Sequence, residues 1–248
     1  MDIVVLAGGK CSPELAELGH TEFRATLPIW GTTFVEIVLD AVRSIGEPIL
    51  VGGPPGLHRR QVPAGENFIG SLKNGLDAVG SANFLLATAD LPFLTTDGAR
   101  DFIQRCDAQA MLNYPIVRAD RPDPRFAAIK RTTIRLREGK FTGGNLALIQ
   151  TELMRTHLPT MESAYAMRKK PLKLAALVGF GTLFKVAAAQ IAPPLLGLKS
   201  LEIAVARFLG APVRAIISPY QEIGMDIDNA EQYRAICGLP RTAHSSDT

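Results

Sequence analysis

The stretch from residue 85 to 95 reads LLATADLPFLT, an apolar run that stops on Asp90, with Pro92 close behind. A carboxylate in that place either caps the following turn or presents charge at the crevice beyond a sheet, where ligands of open α/β folds bind. Taken alone, the window leaves both readings open. The start of the chain offers a second feature. An apolar strand pattern runs into Leu6-Ala7-Gly8-Gly9-Lys10. Glycines at a strand end let the backbone approach a ligand closely, and the exposed N–H groups of such a turn can cradle a base or a phosphate. The loop is neither GxGxxG nor GxxxxGK[ST], which disfavours a dinucleotide fingerprint and an ATPase P-loop. His20, His58, His157 and His244 are scattered, and no Ser-His-Asp grouping can be built from them. Cys11, Cys106 and Cys237 are far apart without a CxxC, which argues against zinc and suits a reducing, cytoplasmic setting.

The elements that must position these residues follow a β-α-β-α rhythm. Residues 2–7 read as a strand, and residues 34–45, FVEIVLDAVRSI, as an amphipathic helix with one buried stripe. Strand patterns recur at 49–51 and 84–88, with helix patterns at 71–79 and 97–105 and a further strand starting at 110–113. This order predicts an α/β fold with a mostly parallel central sheet, right-handed crossovers and flanking helices. The second half is less regular. A polar loop spans 118–124, a strand is expected over 129–136, and 146–149 reads either as a strand or as a helix start. Helical pattern dominates 161–209, a late strand falls at 213–217 and a final helix at 230–237. The expectation is one domain over 1–240, with a helical insertion at about 152–210 and a disordered tail at 241–248.

The chain has 248 residues, 47% of them hydrophobic, and a net charge of +3. That is enough for a sizeable core, and the near-balance carries no nucleic-acid footprint. Residues 172–198 are apolar, but Lys173, Lys185 and the Pro193-Pro194 pair interrupt them. The uncharged run 174–184 is about half of the roughly 20 residues a spanning helix needs. A buried helix is the better reading. Arg168-Lys169-Lys170 leaves weak peripheral contact with anionic lipid as the lesser one.

An ordered set of segments now carries a resemblance: LAGG after the first strand, LPIWGTTFVEIVLDAV, GSLKNGL, LLATADLPFLT and GMDIDNAEQY. Together they resemble the molybdenum-cofactor guanylyltransferase-like nucleotidyltransferases, whose relatives include sugar-phosphate and methylerythritol-phosphate nucleotidyltransferases. The likeness spans most of residues 1–149 and returns at 213–236. It implies a glycosyltransferase-A-like α/β sandwich and a Mg²⁺-dependent transfer of NMP from an NTP, GTP or CTP foremost, to a small phosphorylated acceptor, with pyrophosphate leaving. By the same resemblance Leu6, Ala7, Gly8 and Gly9 line the base and triphosphate, and Ser71 contacts the base with help from Asn67 and Gly70. Asp90 falls on the metal-binding aspartate, and Asp226 and Asp228 fall on the second metal-contacting stretch. The alternative for Asp228 is an N-cap of the last helix. Thr142, Gly143, Gly144 and Asn145 would help seat the acceptor, since paired glycines permit close approach and an amide both donates and accepts. Lys130 and Arg131 are lesser candidates for reaching phosphates, and Tyr114-Pro115 for shaping the acceptor pocket.

Two positions depart from the pattern. Pro13 stands where the family's first loop carries an arginine, and Arg24 stands for its lysine, keeping charge but not point-like geometry. Lys10 and Arg24 are therefore the expected phosphate cations. The departures keep a decayed nucleotide-sensing protein as a rival reading. A nucleotide-sugar glycosyltransferase ranks lower, because Thr88-Ala89-Asp90 offers one carboxylate where a DxD pair is wanted. The expected partners are the NTP and its acceptor, without nucleic acid, and the expected assembly is a monomer or homodimer.

Overall fold

The computed structural model describes residues 1–127, 129–166 and 196–240. Among them one nine-stranded sheet runs through the molecule, ordered β5-β4-β1-β6-β10-β7-β9-β8 with β11 on the other side of β7. Its strands are β1 (Asp2–Leu6), β4 (Glu47–Val51), β5 (Gln61–Val62), β6 (Asn83–Thr88), β7 (Leu112–Arg118), β8 (Ile134–Leu136), β9 (Gly139–Gly143), β10 (Leu146–Gln150) and β11 (Val213–Ser218). A separate two-stranded ribbon joins β2 (Pro28–Ile29) to β3 (Thr32–Thr33). β1 pairs in parallel with both β4 and β6, placing Leu6 beside Val51 and Thr88.

The strand order reverses at β1, and the crossover helices consequently lie on opposite faces. α2 (Phe34–Val42) and α4 (Thr96–Arg105) cover one face, burying Val35, Val38, Ala41, Ala99 and Phe102 against Ile3, Val5 and Leu85. α3 (Phe68–Asp77) and α5 (Thr151–Ala166) cover the other, where Leu72, Leu76 and Met154 meet Val4, Val51 and Phe84. Each of these large side chains, fully buried, contributes about 1.5–3 kcal/mol. A point where strand order reverses opens a crevice at the carboxyl ends of the strands. Here that places the ends of β1 and β6, and so Gly8 and Asp90, at one rim.

A third cluster buttresses that rim from below. It joins Leu15 of α1 (Pro13–Gly19), Phe34, Phe93 and Phe126 to Met225, Ile227 and, in α7 (Ala230–Cys237), Tyr233 and Ile236. Trp30 belongs to its edge, 5.3 Å from Phe93 and donating its indole N–H to the Leu239 carbonyl at 2.7 Å.

Pro13, which stands where the family's first loop carries an arginine, is the opening residue of α1, capped by Ser12, and its missing N–H costs nothing there. The strand expected across 129–136 is confined to Ile134–Leu136, the arm of a hairpin with β9. Residues 146–150 are a strand, β10, and it runs antiparallel between β6 and β7. A short apolar run does not distinguish strand from helix by periodicity, nor reveal direction. Within the expected insertion, α5 and α6 (Leu198–Leu209) are helices. Most of the 172–198 stretch and the 241–248 tail lie outside the described residues. No helix among the described residues is long and apolar enough to cross a membrane.

One partly buried charge locks the start of β1. Asp2 accepts from Arg60 at 2.9 Å and from the amides of Gly80 at 2.9 Å and Ser81 at 3.0 Å. Burial pushes its carboxyl up, but Arg60 and the two amides outweigh it and hold the pKa at about 2, against an ordinary 3.8. The folded pKa is depressed, so the stabilisation is present above pH 4 and is lost as pH falls toward 2. Asp2→Asn is expected to lower unfolding free energy by about 1 kcal/mol at neutral pH, allowing for solvent screening. The gap to wild type should close in acid, read by urea titrations at stepped pH.

Candidate active site

The cleft at the rim has a volume of about 290 Å³ and is lined by the β1 turn from Leu6 to Gly9, by Arg24 and by Thr88 to Asp90. Its remaining wall is the entry to α3, with Gly65, Asn67 and Ser71. Close backbone packing shapes the glycine-turn side. Gly52 turns at φ +82°, and a Cβ there would stand 2.7 Å from the Gly8 Cα, so the β4 and β1 turns can stack only as glycines. Asn67 caps α3, accepting from the amides of Ile69 at 2.9 Å and Gly70 at 3.1 Å. Ser71 Oγ accepts from the Gly65 amide at 3.0 Å. Asn67, Gly70 and Ser71 thus shape the wall, and the N-terminal end of a helix faces the cleft, a favourable place for anionic groups.

The acidic side is assembled from three distant segments. Asp90 ends the extension of β6, and its carbonyl accepts from the Ile227 amide at 3.1 Å. That bond holds the 225–228 segment against the strand end. Met225 and Ile227 face the third core cluster, while Asp226 and Asp228 turn to the opposite side and meet arginines. The capping alternatives are taken by other residues: Thr95 caps α4 and Asn229 caps α7.

Arg24 lies between Asp90, at 3.1 Å, and Asp228, with which it makes a second ion pair. A Cβ on Gly9 would lie 2.9 Å from its guanidinium, so the glycine loop makes room for this side chain. Arg131 pairs in the same manner with Asp226, which also accepts from Asn145 Nδ2 at 2.8 Å. The backbone of Asn145 is itself a junction, donating to the Ile223 carbonyl at 2.9 Å and accepting from the Thr88 amide at 3.3 Å. The Thr142–Asn145 stretch thereby joins the acidic cluster. Its first two residues belong to β9, and Gly144 bends the chain into β10 under Pro115.

Lys10 is placed differently. Its ammonium pairs with Glu22 at 3.0 Å, stacks over Phe23 at 3.6 Å and does not line the cleft. Arg131, a lesser candidate in the sequence, is the second cation of the cluster. Its sequence signal is weak because neighbouring basic residues such as Lys130 and Arg131 are usually both solvated.

The carboxyls of the cluster are desolvated and crowd one another. Burial pushes the carboxyls of Asp90 and Asp228 above the ordinary range, and their acidic neighbours add to it, while Arg24 opposes. One carboxylate oxygen of Asp90, Oδ1, is buried without a well-formed hydrogen bond; the Thr88 hydroxyl, likewise buried and without one, is the neighbouring group that joins Arg24 in favouring the ionised form. Three carboxylates face two guanidinium groups, which leaves negative charge over. An under-bonded carboxylate oxygen among hard oxygen donors fits a divalent cation such as Mg²⁺. Among the described residues, no three acidic, His or Cys side chains are already gathered as a ligand set. Arginines stand between them.

The family profile described as the MobA-like NTP transferase domain matches residues 3–169. The chain belongs to that family. A transferase from Thermus thermophilus, described as hypothetical, is 37% identical with a TM-score of 0.84, over 93% of this chain and 98% of that one. More distant structures show the same fold. A nucleotidyl transferase from Methanothermobacter is 20% identical at TM-score 0.53, covering 95% of this chain and 94% of that one. The 2-C-methyl-D-erythritol 4-phosphate cytidylyltransferase of Thermus thermophilus is 16% identical at TM-score 0.51, covering 95% and 97%. Among curated proteins, none matches the chain.

Proposed function

We propose that this NTP transferase is an active enzyme that moves NMP from an NTP, GTP or CTP foremost, to a small phosphorylated acceptor. The observation that carries the reading is the buried Oδ1 of Asp90, without a well-formed hydrogen bond, at the rim of a glycine-lined cleft, beside an arginine shared with Asp228. The base and sugar lie along the Leu6–Gly9 turn and the α3 entry. The triphosphate would lie toward Arg24, whose guanidinium is the cation of the cleft available to phosphate oxygens. Asp90, Asp226 and Asp228 would hold Mg²⁺, which neutralises charge on the phosphates as it develops. Asn145 keeps Asp226 in place, and Arg131 orients the incoming acceptor. An acceptor oxygen forms a bond to the α-phosphorus, the bond to the bridging oxygen of the β-phosphate breaks, and its electrons leave with pyrophosphate.

The fit of this reading is tested by thermal shift with ATP, GTP, CTP and UTP, each with and without Mg²⁺, followed by pyrophosphate release with phosphorylated acceptors. A ligand present at about 100 times its Kd adds about 2.7 kcal/mol, which is a clear rise in Tm. The expected result is a Mg²⁺-dependent shift for one or two bases and pyrophosphate release with an acceptor. Binding without release across a broad acceptor panel would move the assignment to a nucleotide sensor.

A further inference from the structure

The two acidic segments of the site are tied together twice. The Ile227 amide on the Asp90 carbonyl, at 3.1 Å, is the near tie. The far one joins Glu222, in the short 3-10 turn Gln221–Gly224, to Thr95 at the entry of α4. Glu222 Oε1 accepts from the Thr95 hydroxyl at 3.0 Å, and that hydroxyl accepts in turn from the Gly98 amide at 3.0 Å. Thr95 follows Asp90 along the chain, whereas Glu222 precedes Ile227. The segments 90–95 and 222–227 therefore run in opposite senses and are fastened at both ends. Asp226 is held between the ties, and Asp228 stands just beyond them.

Glu222 is a costly residue to keep there, because a carboxylate loses its hydration on burial. It is 8% exposed. Burial pushes its carboxyl above the ordinary range, and its own amide and the Thr95 hydroxyl oppose that. A Cβ on Gly98 would stand 3.4 Å from Oε1, so the carboxylate packs onto the first turn of α4, where free N–H groups favour negative charge. The backbone of the turn continues toward the site. The Glu222 carbonyl accepts from the Met225 amide at 3.1 Å, and the Ile223 carbonyl accepts from the Asn145 amide at 2.9 Å. Asn145 Nδ2 then holds Asp226 at 2.8 Å. Gln221 fastens the turn on its other side, accepting from the Asp123 amide at 2.8 Å and donating to the Arg121 carbonyl at 2.7 Å. Both routes to Asp226, along the chain through Met225 and across through Asn145, start from a turn that one buried side chain anchors.

We propose that Glu222 is a positioning residue for the acidic cluster, which through Thr95 sets the spacing between Asp90 and Asp226. It does not line the cleft, and it acts only through the residues it holds. The inference rests on the transferase reading for the divalent cation that these carboxylates would take. It adds a residue outside the cleft on which the affinity for that cation depends.

Glu222→Leu removes the acceptor, and Glu222→Gln keeps it. With neither metal nor nucleotide present, hydrogen exchange on the full chain is expected to be faster over 90–95 and 223–228 in Glu222→Leu and close to wild type in Glu222→Gln. Mn²⁺ is then titrated, read by the electron-spin signal of the free ion, with the NTP that gives the largest thermal shift. Removing a group that orients a metal ligand ordinarily weakens the metal by about 10–100-fold. A loss of at least about tenfold is expected in Glu222→Leu, with Glu222→Gln near wild type. Thr95→Val removes the donor and gives the same reading should the leucine variant not fold. The double variant should lose no more than either single one, because both act through one contact. Unchanged exchange, or faster exchange with undiminished Mn²⁺ affinity, overturns the proposal. So does an equal loss in Glu222→Gln, since charge and not the tie would then be responsible. A wild type that binds no Mn²⁺ with any NTP, alongside faster exchange in the variants, would defeat the transferase reading and leave the positioning contact standing.

Discussion

Asp90→Asn is expected to reduce turnover by at least about 10²–10³-fold, the loss typical of removing one electrostatic contact to a developing charge, with little change in Tm. The two halves of that result have one cause. Asp90 is a poor stabiliser because its carboxylate is desolvated, crowded by Asp226 and Asp228, and left with one oxygen lacking a well-formed hydrogen bond. Asparagine keeps the shape and removes the charge, while Arg24 keeps Asp228 as its partner. The same desolvation fixes the sign of the pH dependence. The folded pKa is raised, so the fold is best tolerated with Asp90 protonated, and its ionisation costs stability as pH rises through that raised value. The variant should therefore equal or exceed wild type in stability at neutral pH, and the difference should shrink in acid. Steady-state pyrophosphate release and urea titrations at several pH values check both halves. Wild-type turnover in Asp90→Asn would remove the catalytic role from this residue.

Arg24→Met should have the second largest effect, a fall in kcat/KM of about 10²–10³-fold, and unlike Asp90→Asn it should also destabilise the fold. Arg24 is the cation that faces both Asp90 and Asp228, and deleting it leaves a buried carboxylate without compensation. Breaking such a pair costs about 3–5 kcal/mol when fully buried. Arg24 retains 26% exposure, so about 2 kcal/mol is the expected loss. The double variant Asp90→Asn/Arg24→Met should recover much of that stability without recovering activity, because the two effects are coupled through one contact. Arg24→Lys tests the departure from the family pattern. The room beneath Gly9 is shaped around a guanidinium, and lysine retains charge without the planar fork. Activity within about tenfold of wild type is expected for that variant, with kcat/KM measured against the NTP. Nucleotide kinetics unchanged in Arg24→Met would show that the guanidinium only balances the carboxylates.

Much of the site is legible in order along the chain, and parts of it are not. The strand-turn-glycine pattern at Leu6–Gly9 and the strand-end aspartate at Asp90 are legible because local apolar periodicity sets the strand, and a strand's end puts the next few residues at the sheet's rim. Lys10 reads as a phosphate cation only through its proximity in sequence to the glycines. The chain turns back at the Lys10–Phe23 bridge, and the ammonium is directed onto Glu22 and Phe23. Arg131 carries almost no local signal, and neither does the antiparallel insertion of β10 that brings Asn145 to the acidic cluster. Both depend on pairings between segments dozens of residues apart.

The amino-acid sequence by itself determined the class of fold, the glycine turn and the acidic residues available for chemistry, because secondary structure and turn type are largely local consequences of side-chain pattern. The tertiary structure alone decided which charges meet. Asp90, Asp226 and Asp228 gather around Arg24 and Arg131 because the strand order reverses at β1 and the Ile227 amide binds the Asp90 carbonyl. Charge pairing is a property of segments packed against each other, and no local pattern encodes the distance between them.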